Sequence, residues 1–528
     1  MGLIFQFIRK RQLVRFHAAK TVIALGLAAL LCNGALARPG AEQAAEQPAA
    51  APPPTAVIHV DASAKGQPFP HFWEQMFGSG RAILSLRQDY RDDLRAVKAI
   101  TGFDYIRFHG IFDDDVGLYS EDKDGNPVYN FSYVDQIYDG LLANGVRPYV
   151  ELSFMPPKLA AREVHQAFWY HPVVAPPKSW ALWDDLITKF AQHLVARYGI
   201  DEVSQWYFEV WNEPNLDFWA GDPKQATYYE LYDHTARDLK RVSARIRVGG
   251  PSTAQAAWVT SFIQHDVKED VPVDFISTHV YGDDTAQNVL KTNENISRRD
   301  MVCRAVKKVH DEVEASARPQ LPIIFSEYNA SYMNLPDVTD TIFMGPWMAN
   351  TIRECDGLVS MMSYWTFSDV FEEQGVIKKP FYGGFGLVAE GGVPKPVFNA
   401  YKLLHMLGTQ RIPADSDSAI ATRAGKKTLE IAVWNYSAPE AAGATKEFTL
   451  QIDGWHGARK VLIYRLDAGH GNALTAYDAM GRPASPTQQQ YAELKNAAKL
   501  GPPEKEKLKR NQITITLPPK ALELIEVH

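Results

Sequence analysis

Trp206-Tyr207-Phe208-Glu209-Val210-Trp211-Asn212-Glu213-Pro214-Asn215 is the stretch that decides the fold of this chain. An apolar run ends at a carboxylate, Glu213, and Pro214 cannot extend a hydrogen-bonded ladder, so a buried strand stops there. A second run, Ile323-Ile324-Phe325-Ser326, closes on Glu327 in the same way. Working outward, six more β-rich runs fall at 69–77, 105–109, 148–153, 247–251, 275–280 and 361–365. Several are continuously apolar, as strands buried on both faces are. Amphipathic helical patterns separate them at 89–101, 133–144 (ending at Gly145), 225–245, 339–355 and 397–407, with one more running from a Ser179 cap to Tyr198. Eight β–α alternations predict an α/β fold, a (β/α)8 TIM barrel over residues 68–408. A doubly wound open sheet is disfavoured, because no glycine-rich phosphate loop follows the first strand.

After residue 408 the texture changes. Short runs at 429–436, 447–452, 458–466, 512–517 and 522–527, separated by Gly, Pro, Asn or Asp, predict an all-β sandwich over 409–528. The segment 56–67 carries a strand expected to join it. A short helix is predicted at 491–500, and the charged run 504–510 reads as a solvated connector. At the other end, Arg9, Lys10, Arg11, Arg15 and Lys20 precede an apolar stretch and Ala35-Leu36-Ala37. That pattern predicts a signal peptide over 1–37 and an exported protein, periplasmic or secreted. An Ala/Pro-rich linker, 38–55, would follow.

The 528 residues carry a net charge of −7. Removing residues 1–37 leaves 50 Lys+Arg against 62 Asp+Glu, about −12. Such a surface disfavours nucleic acid and anionic lipid as partners, and a neutral ligand fits it better. No membrane partner is expected after leader cleavage. Cys303 and Cys355 show no metal-ligand spacing, so no zinc site is indicated and no cofactor is expected. Both lie on predicted helices, and buried thiols are favoured over a disulfide.

In a β/α barrel the reactive groups sit where strands end. Two carboxyl groups at such tips suit the cleavage of a glycosidic bond, one protonating the leaving oxygen and one attacking. Trp211-Asn212-Glu213-Pro214-Asn215 and Ser326-Glu327-Tyr328-Asn329 resemble the fourth- and seventh-strand segments of clan A glycosidases. Phe154-Met155-Pro156-Pro157, the segment from Tyr364-Trp365-Thr366 to Glu372-Glu373, and Gly383-Gly384-Phe385-Gly386 narrow the resemblance to glycoside hydrolase family 39. That family contains β-xylosidases and α-L-iduronidases. The similarity runs from about residue 56 to the end, through His470-Gly471-Asn472 and Met480-Gly481-Arg482-Pro483.

The resemblance implies a retaining double displacement, with Glu213 as acid/base and Glu327 as nucleophile. It implies that Asn212 contacts the sugar 2-OH, that Arg107 lies beneath Glu327, and that Tyr281 hydrogen-bonds the nucleophile. His109 and His279 end predicted strands and are candidates for sugar contacts. Trp365 would floor the sugar subsite, Glu372 would hold sugar hydroxyls and Phe154 would line the pocket. Glu74, Glu151 and Glu209 read as buried structural carboxylates. The sixth-strand tip and the eighth-strand loop up to Gly375 contain no Lys or Arg. A uronate carboxylate calls for a cation, so a neutral pentose is expected. These features together predict an exo-acting β-D-xylosidase on xylobiose and short xylo-oligosaccharides. The insertion 158–177, with Phe168, Trp169 and Tyr170, is a candidate cap. Another clan A hydrolase (α-L-iduronidase-like, β-glucosidase or endo-glycanase) and a non-catalytic carbohydrate-binding barrel are the alternatives.

Overall fold

A computed structural model describes residues 55–425 and 427–528. The expected signal peptide, 1–37, and the expected linker, 38–55, all but Thr55, lie outside the described residues. Eight parallel strands close into a barrel: β1 (Met76–Gly78), β2 (Tyr105–Phe108), β3 (Arg147–Leu152), β4 (Tyr207–Val210), β5 (Arg247–Thr253), β6 (Phe275–Tyr281), β7 (Ile323–Asn329) and β8 (Met361–Tyr364). Each pairs with its sequence neighbours, and β8 returns to β1. Glu213 follows β4 and Glu327 lies in β7, as expected from the sequence.

The barrel interior is layered by the period-2 alternation of its strands. Met76, Tyr149, Phe275, Ile324 and Met361, at or near the strand starts, form an apolar plug. One step further along, Arg107, Glu151, Glu209, Ser277 and Ser326 make a fully buried polar layer. The catalytic face therefore opens above a sealed floor. Residues 69–75 depart from the expected first strand. Pro68 and Pro70 interrupt any ladder, and Phe69, Phe72 and Trp73 are buried by packing instead. Among the described residues, no helix is long and apolar enough to cross a membrane.

Cys303, in helix Met301–Glu314, and Cys355, which ends helix Met344–Cys355, form a disulfide, with Cα atoms 5.3 Å apart. The expectation of two buried thiols is therefore corrected. The helices follow β6 and β7, and their packing brings together two cysteines 52 residues apart, a proximity that spacing alone does not reveal. Ser179 occupies the N-cap of Trp180–Tyr198 but makes no side-chain capping bond.

The terminal region forms a seven-stranded sheet and a three-stranded sheet. In the smaller sheet Thr55–Asp61 runs parallel to Lys446–Asp453, so the beginning of the described chain completes a sandwich made by its end. Ile58, Val60, Ile431, Val433, Leu450, Ile452 and Ile525 belong to its core. The outer face of the larger sheet packs Trp434, Leu466, Leu522 and Leu524 into the barrel's own core cluster, so no flexible hinge separates the two. The run expected as a connector instead contains strand Glu504–Lys507, paired with 460–463. Its alternating Glu and Lys are exposed, which suits an edge strand that must not recruit another chain. Two helices, Ala473–Ala479 and Gln488–Ala497, leave the sandwich and pack on Phe381, Ala389 and Val393 in the loop after β8.

Candidate active site

Local backbone geometry aims the two carboxyl groups. After β4, Trp211 and Glu213 take left-handed conformations (φ 71° and 43°), and the Glu213 N–H donates to the Ser252 carbonyl at 2.8 Å. The strand is thereby turned out of its ladder at the residue that must face the mouth. In β7 the register slips: Thr278 pairs with Phe325 and His279 with Glu327, leaving Ser326 as an extra residue. Strict alternation would send neighbouring side chains to opposite faces. The bulge lets both Ser326 and Glu327 reach into the barrel.

Arg107 is the hub. Fully buried, its guanidinium donates to Glu209 Oε2 (2.6 Å), Glu327 Oε1 (2.6 Å) and Asn212 Oδ1 (2.9 Å), and lies 2.7 Å from Glu151 Oε2. A guanidinium fixed on several acceptors is expensive to move and always charged. Glu209 also accepts from Ser326 Oγ (2.6 Å) and Tyr149 Oη (3.2 Å). Glu151 accepts from His109 Nδ1 at 2.7 Å and from Ser153 Oγ. Glu151 and Glu209 are thus buried partners of the hub, as expected. Because Arg107 can only donate, the Asn212 oxygen faces it and the Asn212 amide nitrogen is left to donate elsewhere.

The hydrogen bonds also locate the protons. Glu327 accepts from Arg107 on Oε1 and from Tyr281 Oη on Oε2, the latter at 2.6 Å. Burial, and then the Glu327 charge, hold the Tyr281 hydroxyl pKa well above its ordinary value, so Tyr281 keeps its proton and donates. Burial raises the Glu327 carboxyl above its ordinary value, and Arg107, His109 and Tyr281 reduce that rise without cancelling it. Burial, and then Glu327 itself, push Glu213 well above the usual carboxylate range. The pair's single proton belongs on Glu213, since both Glu327 oxygens are already taken by donors. His279 completes this inventory. Burial, with Arg107 and His109 nearby, keeps it neutral, far below its ordinary pKa. Its Nε2 lies 3.1 Å from Ser326 Oγ, whose own proton goes to Glu209, so Nε2 carries the hydrogen. Nδ1, 3.1 Å from Glu213 Oε1, is therefore the acceptor of the Glu213 carboxyl proton. The same Nδ1 lies 3.6 Å from Glu327 Oε1, so the two carboxyl groups meet around one imidazole.

Around this set stand the other residues expected to contact a sugar. Trp365 is buried 4.8 Å (ring centroids) from His109, with Arg107 beneath its ring at 5.6 Å. Gly78 of β1 is the position that admits that indole, since a Cβ there would collide with it. Phe154 is fully buried and packs behind His109, Trp211 and Phe218. Burial opposes charge on His109, but Glu151, then Glu373 and Glu327, raise its pKa to about 10. Glu372 has one oxygen bonded by Arg81 (3.0 Å) and the other by Arg87 (2.9 Å), which fixes its orientation. Glu373, which sequence reasoning passed over, stands 3.5 Å from His109 Nε2 inside the pocket, where burial lifts its pKa to about 7. The adjacency of two glutamates was the only signal, and a loop offers no periodicity to say which one points inward. The 158–177 insertion does reach the mouth: Phe168 lies 6.1 Å from the His109 ring and the Trp169 N–H donates to the Glu373 carbonyl at 2.8 Å.

The model of glycosyl hydrolases family 39 matches residues 56–512. The chain belongs to that family. A β-xylosidase of Geobacillus stearothermophilus is 38% identical over 452 residues, 84% of this chain and 89% of that protein. A β-xylosidase of Caldicellulosiruptor saccharolyticus is 36% identical, over 84% of this chain and 92% of its own. A solved family 39 β-xylosidase from Caulobacter crescentus superposes with a TM-score of 0.79 at 34% identity, covering 90% of this chain and all of that one. Family membership extends over the barrel and most of the sandwich, so the two form one evolutionary as well as one packed unit.

Proposed function

We propose that this protein is a retaining, exo-acting β-D-xylosidase that releases xylose from the non-reducing end of xylobiose and short xylo-oligosaccharides. The observation that carries the reading is the convergence of Glu213 and Glu327 at one barrel mouth on a common neighbour, His279 Nδ1, which lies 3.1 Å from Glu213 Oε1 and 3.6 Å from Glu327 Oε1. Retaining enzymes hold their two carboxyl groups about 5–5.5 Å apart, whereas inverting ones leave room for a water. Glu213 enters protonated and gives its proton to the glycosidic oxygen as Glu327 attacks the anomeric carbon. Once Glu327 is esterified its charge is gone, the Glu213 pKa falls, and Glu213 accepts a proton from the attacking water. Asn212, fixed by Arg107, offers its amide nitrogen to the 2-OH. Glu373 and His109 offer an acceptor and a donor to the other ring hydroxyls, and Trp365 supports the apolar face.

Three features favour a neutral pentose at a chain end. Arg107 and His109, the cations nearest Glu327, are engaged by carboxylates. Glu373, the acid at His109, offers a uronate carboxylate no cation to pair with. The β3 insertion is tied to the β8 loop through Trp169 and Glu373, which closes one side of the mouth as an exo pocket requires. A panel of aryl β-xylosides, glucosides, arabinosides and α-iduronides tests this directly. Turnover of the β-xyloside well above the rest is expected, and preference for the iduronide would overturn the assignment. Export is part of the proposal. The 1–37 leader pattern and the Cys303–Cys355 disulfide both suit an oxidising compartment. Retention of full-length protein in the cytosolic fraction would contradict it.

A further inference from the structure

Among the described residues, nine large apolar side chains are exposed, and five of them stand on loops at the catalytic end of the barrel: Trp169, Leu216, Tyr332, Met333 and Val376. Two sit on rigid supports. The Trp169 backbone is bonded to Glu373, and its indole lies 5.8 Å from the Arg81 guanidinium. The Tyr332 N–H donates to Asp283 Oδ1 at 3.0 Å, and Ser331 Oγ donates to Asp283 Oδ2 at 2.5 Å. Yet the residues remain 49% and 52% exposed. Rings held out to solvent on hydrogen-bonded backbone are a pre-organised surface that a ligand can use at little ordering cost.

Their positions say which part of a ligand they meet. Trp169 rises from the loop after β3 and Tyr332 from the loop after β7, which lie across the ring from each other in an eight-strand barrel. The Tyr332 ring stands edge-on to Tyr281 at 6.4 Å, and Tyr281 bonds the nucleophile. Tyr281 also belongs to the buried aromatic cluster with Trp365, Phe371 and Phe385. Tyr332 is thus the next ring outward from the pocket holding the sugar to be cleaved. We propose that Tyr332 and Trp169 wall the binding site for the leaving-group sugar, a second xylopyranosyl unit whose C–H face stacks on Tyr332. This rests on the xylosidase reading and extends it to the other side of the bond.

The test compares xylobiose with β-D-xylosyl fluoride, which carries the same glycone but no ring beyond the bond. Tyr332→Ala is expected to lower kcat/KM on xylobiose by about five- to tenfold, the worth of one aromatic contact, and to leave the fluoride within about twofold. Tyr332→Phe, which keeps the face and loses the hydroxyl, is expected to behave as wild type. Trp169→Ala is expected to follow Tyr332→Ala. Fluoride turnover doubles as the check that each variant is folded. Unchanged xylobiose kinetics in both alanine variants would overturn the site while leaving the xylosidase reading intact. Equal losses on both substrates, with a smaller particle on size-exclusion chromatography, would place a second copy of the chain on this surface instead. A wild-type protein inactive on both substrates would remove the xylosidase reading and this site with it.

Discussion

Replacing both Cys303 and Cys355 by serine removes a covalent tie around the nucleophile's strand, because the closed loop contains β7 and Glu327. The sequence separation is 52 residues. The loop-closure entropy withheld from the unfolded chain by a bridge of that span corresponds to about 4 kcal/mol at 25 °C. Both side chains are buried (7% and 0% exposed), so serine leaves little new surface and the entropic part dominates. Urea unfolding followed by tryptophan fluorescence, oxidised wild type against the double serine variant, is expected to show a loss of roughly 2–4 kcal/mol. Steady-state kinetics in the native range should be unchanged, since Glu327 is held by Arg107 and Tyr281 rather than by the bridge. A loss under about 1 kcal/mol, or an equal destabilisation of the double variant by added reductant, would refute the reasoning.

Two other expectations follow from the site. Glu213→Ala removes the proton donor, so turnover of xylobiose should fall by about 10²–10⁴, whereas an aryl xyloside with a good leaving group should lose far less; equal losses across leaving groups would exclude Glu213 as the acid. Tyr281→Phe deletes the 2.6 Å bond to Glu327, a charge-assisted contact worth about 1.5–3 kcal/mol. Its loss lets burial raise the Glu327 pKa further. Activity requires ionised Glu327 and disappears as pH falls through that pKa, so the acid limb of kcat/KM should move to higher pH. A pH profile superimposable on wild type would contradict the role given to Tyr281.

The barrel was legible because its strands carry two strong local signals, apolar continuity and terminal breakers such as Pro214. The carboxylate pair was legible because strand-end position and motif agree. What escaped was set by tertiary structure. Glu372 and Glu373 are adjacent in a loop, and only the positions of Arg81, Arg87 and His109 decide that the second faces the pocket. The Cys303–Cys355 bond depends on how two helices pack, which neither helix encodes alone. Strand Glu504–Lys507 lacks any apolar face, so its pairing with 460–463 left no hydrophobic trace to read. The Ser326 bulge, which lets consecutive residues share one side of β7, is likewise visible only in the register with β6.

The central claim is that Glu327 forms a covalent bond to the sugar while Glu213 manages the protons. Incubation with a 2-deoxy-2-fluoro-β-xyloside bearing a good leaving group, followed by peptide mass mapping, tests it most directly. A fluoroxylosyl adduct on the peptide containing Glu327, absent from Glu327→Ala, is the expected result. An adduct on Glu213 or Glu373, or no adduct together with a first product of inverted anomeric configuration, would contradict the account.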